Sequence, residues 1–89
     1  MKTKKGIAIR PLGNDYILIA EGLEAENFRN MVTMNESAAL LWKEVEGKTF
    51  DADTLSQILV DNYGISAEVA SRDAAALLQK WLEAGTIEE

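Results

Sequence analysis

Cysteine and histidine are both absent from this 89-residue chain, and proline occurs once. Without cysteine there is no disulfide and no thiolate metal site. Without histidine the commonest general acid/base, the commonest metal ligand and the usual partner of a nucleophilic serine are all missing. Carboxylates remain, but no pair of them stands at a spacing that singles it out for catalysis, so a non-enzyme without metal or cofactor is expected. Long apolar runs are lacking too. No stretch of about 18 apolar residues offers a membrane span, and residues 1–10 lack the apolar core of a signal peptide. A soluble cytoplasmic protein is therefore expected. At this length the chain makes one small domain, residues 1–89, with one modest core.

Positive charge is scarce as well: nine Lys/Arg stand against 15 Asp/Glu, for a net charge of −6 and a pI near 4.6. The imbalance is uneven. Residues 1–35 hold five basic and four acidic side chains, whereas residues 36–89 hold four and eleven. Lys2, Lys4 and Lys5 read as a solvated start to the chain.

What is present is a well-punctuated series of short elements. Residues 6–12 (Ile7, Ile9 and Leu12 against Ala8 and Arg10) suggest a first strand, with Pro11 at an edge or strand end because it has no N–H to donate. Gly13-Asn14 suits a type II′ hairpin turn. Asp15 to Ala20 reads as a second strand, apolar on both faces and so central or doubly covered. Residues 21–27 form an acidic connector, and Phe28 to Met34 a third strand.

Met31 to Trp42 is the most telling segment. Val32 and Met34 flank Thr33 at the period of a half-buried strand. Asn35 then offers an N-cap oxygen, and Glu36 suits the positive end of a helix dipole. Ala38, Leu41, Trp42 and Val45 continue as one helical stripe. A strand joined to a helix without a loop fixes their relative direction and leaves the strand with a potentially unpaired edge. Gly47 ends the first helix. A second starts at Asp51 or Asp53, carries Leu55, Ile58 and Leu59, and closes at Gly64. Ser66 caps a third, which runs to Ala84 with Ala70, Ala74, Leu77, Leu78 and Trp81 inward, and Thr86-Ile87 fold back as a short extended tail.

Three N-terminal antiparallel strands followed by three helices define an α+β, winged-helix-like domain, its last two helices arranged like a helix-turn-helix. Nucleic-acid binding does not follow. The third helix sets Arg72 and Lys80 against Glu68, Asp73 and Glu83, and the second has no basic residue, so phosphate neutralisation is poorly served. Trp42 and Trp81 read as core anchors, Met31 and Met34 as packing residues. On the third helix, Val69, Asp73, Ala76 and Lys80 recur at three- and four-residue steps along one shoulder of the apolar stripe, where they wall a shallow groove or simply face solvent.

The segment Asn35-Glu36-Ser37-Ala38-Ala39-Leu40-Leu41-Trp42, the following Gly47, the Asn62-Tyr63-Gly64 helix end and the Trp81-Leu82-Glu83-Ala84-Gly85 finish together resemble the PqqD-like family of RiPP recognition elements. The resemblance covers nearly the whole chain in order and spacing. It implies a non-catalytic domain that binds the leader of a ribosomally synthesised precursor peptide and presents it to a modifying enzyme, often of the radical S-adenosylmethionine type. The leader is implied to add as a strand along Asn30, Met31, Val32, Thr33 and Met34, and to lie against Val69, Asp73, Ala76, Leu77 and Lys80. Phe28-Arg29-Asn30-Met31-Val32 stands where quinone-pathway members carry a Pro-Glu-Arg-Val-like stretch, which points to another precursor. The alternatives are a regulatory protein that homodimerises through its third-strand edge and, third, a DNA-binding regulator.

Overall fold

The computed structural model describes residues 1–20 and 32–88. In chain order the elements are β1 (Lys2–Thr3), β2 (Ile7–Leu12), β3 (Asp15–Ala20), β4 (Val32–Met34), α1 (Glu36–Val45), α2 (Ala52–Tyr63), α3 (Ala67–Ala84) and β5 (Ile87–Glu88). The expected α+β architecture is present. Strands β2, β3 and β4 form an antiparallel sheet in that order, with β3 in the centre as its doubly apolar sequence requires. Leu12 pairs with Asp15 across Gly13-Asn14. Gly13 has φ +63° and no non-glycine residue among those described has positive φ, the sign pattern of a type II′ turn. Pro11 sits on β2, whose outer side is a sheet edge and needs no donor from it.

β4 enters α1 directly. Asn35 is extended, and its side-chain oxygen accepts the Ala38 amide at 2.9 Å and the Ser37 hydroxyl at 2.9 Å. Asp51, the first of the two expected candidates, caps α2 and forms a reciprocal capping box with Thr54. Gly64, at φ +63°, turns the chain out of α2 in the left-handed conformation, and Ser66 caps α3 two residues later.

The core lies between the inner face of the sheet and the three helices. Trp42 and Trp81 are fully buried at its centre, edge to face with ring centroids 5.2 Å apart. Phe50 closes one end, 6.4 Å from Trp81. The Trp42 indole N–H donates to Glu46 Oε2 at 3.0 Å, while that of Trp81 has no partner among the described residues.

The start of the chain differs from the expected solvated lysine run. β1 pairs antiparallel with β5, Lys2 opposite Glu88 and Thr3 opposite Ile87, and bridges on its other side to Thr49. Met1 N donates to the Phe50 carbonyl at 2.8 Å, and Phe50 N returns a bond to Met1 O at 2.7 Å. Two residues per strand are too short for any alternation to be legible. Their partner lies more than 80 positions away, so no local signal marks the pairing. The fold-back expected for Thr86-Ile87 supplies that partner: Ile87 is buried in β5, and the Thr86 hydroxyl donates to the Trp81 carbonyl at 3.1 Å.

Candidate functional site

β4 gives the site its floor. Tyr16 pairs with Met34, Ile17 with Thr33 and Leu18 with Val32, so one edge of β4 is occupied by β3. Among the described residues no strand pairs with the other edge. Val32 and Met34 point inward and are 2% and 3% exposed, leaving Thr33 as the outward side chain. What β4 offers on its free side is therefore backbone.

α3 supplies the wall. Asp73, Ala76 and Lys80 are exposed and Leu77 is half-buried, all on the shoulder of the stripe that buries Ala70, Ala74, Leu78 and Trp81. Lys80 reaches across: its ammonium donates to the Thr33 carbonyl at 3.4 Å, a long and exposed bond. The Thr33 backbone thus faces α3 rather than being fully consumed by β3. Between the two elements lies a groove of about 410 Å³, floored by Thr33 and Met34 and walled by Asp73, Ala76, Leu77 and Lys80. Ser37 and Ala38, from the first turn of α1, close one end, and Leu41 and Leu59 contribute apolar surface beneath.

Of the ten residues singled out in the sequence, Thr33, Met34, Asp73, Ala76, Leu77 and Lys80 line this groove. Val32 is buried in the core and is not part of the lining. Val69 is half-buried a turn before Asp73 and is not part of the lining. Asn30 and Met31 lie outside the described residues. Leu77, placed on the inward stripe by periodicity and against the leader by the family resemblance, divides its surface between core and groove. Sequence reasoning missed the groove-lining role of Asn35, Ser37 and Ala38. The signal for it was the loop-free strand-to-helix join, which places the first turn of α1 at the end of β4.

Charge in the groove is balanced, with one carboxylate and one ammonium carried seven residues apart on α3, a rise of about 10 Å along the helix axis. Among the described residues no cluster of His, Cys, Asp or Glu is gathered closely enough to hold a metal ion, and no helix is long and apolar enough to cross a membrane. A groove with an extended-backbone floor, a helical wall and apolar patches beneath is suited to an extended chain.

The fold and groove place the chain among small winged-helix-like α+β domains, with a strand edge that is unpaired among the described residues lying beside the last helix. Residues 17–87 match the family described as coenzyme PQQ synthesis protein D (PqqD), and the chain belongs to that family. No curated protein matches it in sequence. Two solved structures share its fold. TbiB1, in complex with the TbiA(beta) leader peptide, aligns with a TM-score of 0.74 at 13% identity, over 99% of this chain and 95% of its own. Lasso peptide synthetase B1, complexed with the leader peptide, gives 0.64 at 23% identity over 92% and 89%.

Proposed function

We propose that this protein is a recognition domain for the leader of a ribosomally synthesised precursor peptide, capturing it by strand addition to the free edge of β4 and presenting it to a modifying enzyme without doing chemistry itself. The observation that carries the reading is the β4 edge, with which no strand among the described residues pairs, lying beside the α3-walled groove. An extended peptide pairs its backbone with β4 and turns alternate side chains toward Asp73, Ala76, Leu77 and Lys80. Membership of the PqqD family supports the reading, as do two folds of this kind solved with leader peptides bound. The absence of histidine and cysteine from the sequence fits a binding rather than a catalytic role.

The energetics call for both surfaces. A net gain of about 0.5–1.5 kcal/mol per hydrogen bond, over four or five bonds, is largely offset by the ordering of a flexible peptide. Apolar contact along α3 must then carry the complex to roughly micromolar affinity, about −8 kcal/mol. The partner enzyme is read as of the radical S-adenosylmethionine type and the working compartment as the cytoplasm, where precursors are made. The Phe28-Arg29-Asn30-Met31-Val32 stretch favours a precursor other than that of the quinone.

The test is an amide NMR titration with a synthetic leader of the precursor encoded beside the gene. Shifts are expected along residues 32–38 and 73–80; shifts confined to the termini, with both regions silent, would falsify the proposal. The same free edge also admits pairing with a second copy of the chain. Sedimentation separates the two, since a tight dimer that leader does not dissociate favours self-pairing.

A further inference from the structure

A second depression lies at the opposite end of α1 from the groove. It is a hollow of about 710 Å³ whose rim carries Lys2, Lys4, Lys5 and Lys48 against Glu46 and Glu88. Four cations against two carboxylates give a local charge of +2 on a chain whose total is −6; the other five cations face 13 carboxylates. The frame under these lysines is fixed. β1 is bonded to β5 on one side and bridges to Thr49 on the other, Lys4 N donates to the Thr86 carbonyl at 3.1 Å, and Gly47 N to Thr3 Oγ1 at 3.1 Å. Lys2 pairs with Glu88 at 3.7 Å, and the Lys4 ammonium lies beside Gly85 at the C-terminal end of α3, where the helix dipole favours a cation. Lys5 and Lys48 make no ion pair among the described residues. β1 and the turns beside it therefore gather like charges at one pole of an otherwise acidic molecule.

We propose that this basic hollow docks an acidic segment of a partner protein while the β4 groove holds the peptide. The inference builds on the peptide-binding reading. α1 has ten residues and separates the two depressions by about 15 Å, so an occupant of one leaves the other open. A short acidic loop touches only the hollow. A nucleic-acid backbone, with one charge for every ~1.7 Å of duplex, runs on across the acidic remainder of the surface and is repelled there. A presenting domain needs a second contact of this kind, because the edge that holds the peptide is no longer free to hold the enzyme.

The probe is decaglutamate, titrated into the isotope-labelled full chain. The amides of residues 2–7 and 46–49 are expected to shift, with residues 33–38 and 73–80 silent. Affinity should fall about tenfold or more between roughly 50 mM and roughly 500 mM salt. The Lys5→Glu, Lys48→Glu double variant should lose at least about tenfold in affinity, as expected for reversing exposed charges at the contact, and Lys5→Arg, Lys48→Arg should retain it. Absent or scattered shifts overturn the proposal. So does tighter binding of oligothymidylate at the same residues, which assigns the hollow to nucleic acid, and so does salt-sensitive self-association in sedimentation, which assigns it to a second copy. A leader peptide that fails to shift residues 33–38 and 73–80 overturns the peptide reading alone, because decaglutamate reports on a different set of amides.

Discussion

Ala76 offers a way to fill the groove without touching the core. Ala76 is exposed, lies between Asp73 and Lys80 on the groove-facing shoulder of α3, and contributes no side chain to the buried stripe. Ala76→Trp places a large ring in a space of about 410 Å³ that an incoming peptide side chain would otherwise use. Burying one Leu- or Phe-sized side chain is worth about 1.5–3 kcal/mol. Excluding one such residue therefore costs about ten- to 150-fold in affinity, at 1.4 kcal/mol per factor of ten. An exposed substitution alters stability by about 0.5 kcal/mol or less, a melting shift of no more than about 4 °C for a domain of this size. Ala75→Trp is the matched control: it is also exposed, stands about 100° round the helix and does not line the groove. Fluorescence anisotropy with labelled leader and a thermal melt on each variant decide the matter. Wild-type affinity in Ala76→Trp at unchanged melting temperature, or equal losses in both variants, refutes the placement of the peptide against α3.

Other positions test the frame. Asn35→Ala removes the acceptor of the Ala38 amide and Ser37 hydroxyl bonds, and should cost about 1 kcal/mol, read as a lower urea midpoint with an unchanged slope; an unaltered midpoint contradicts the cap. Gly64→Ala meets no atom within 4 Å but must adopt φ near +63°, so about 1–2 kcal/mol is lost through backbone strain alone, and Gly64→Asn should recover part of it in the same denaturation series. The Asp51 carboxylate accepts the Thr54 amide at 2.8 Å and then the Thr54 hydroxyl at 2.9 Å, bonds that hold its pKa below the ordinary 3.8. A lowered folded pKa means that the cap is fully effective above 3.8 and fades as pH falls through the lower folded value. A carboxyl NMR titration should show a midpoint under 3.8, and Asp51→Asn should remove that pH dependence while keeping the cap; a midpoint at or above 3.8 contradicts the capping box.

Where local chemistry decides the conformation, the sequence was readable. Asn35, Asp51 and Ser66 each cap the helix they precede, because a short polar side chain ahead of an apolar periodic run has few better uses. Asp15 to Ala20 is central because both its faces are apolar, and Trp42 and Trp81 meet because each sits on the buried stripe of its helix. The β1–β5 pair was hidden for the opposite reason. It joins residues 2–3 to residues 87–88, and the lysines that line it look like solvated charge when read in isolation. The groove was legible in halves. The α3 shoulder follows from three- and four-residue steps, but Val69 falls outside the lining, since periodicity says which residues share a face and not how far the facing strand extends along it.

The division of labour in the groove follows from what β4 has already committed. Val32 and Met34 are buried against the core and Tyr16 pairs opposite Met34, so changing them to suit a ligand would damage the fold. Thr33 is the only side chain of β4 that points outward. The strand can therefore act as little more than a backbone template, accepting any extended chain that can meet its amides and carbonyls. Lys80 moderates even that, since its bond to the Thr33 carbonyl must be released or shared before a peptide strand can use that oxygen. Asp73, Ala76 and Lys80 carry no such commitment, because each is exposed and their helix is held by Ala70, Ala74, Leu78 and Trp81 on its other face. On the proposed reading, discrimination between peptides would belong to α3. Ala76 would then set the size of side chain admitted, and Asp73 and Lys80, seven residues apart with a rise of about 10 Å along the helix, would set the order of charges along a bound strand. Exchanging the two charges, Asp73→Lys with Lys80→Asp, should leave the melting temperature nearly unchanged and invert the preference between leaders of opposite charge order; equal affinity for both would place selectivity elsewhere.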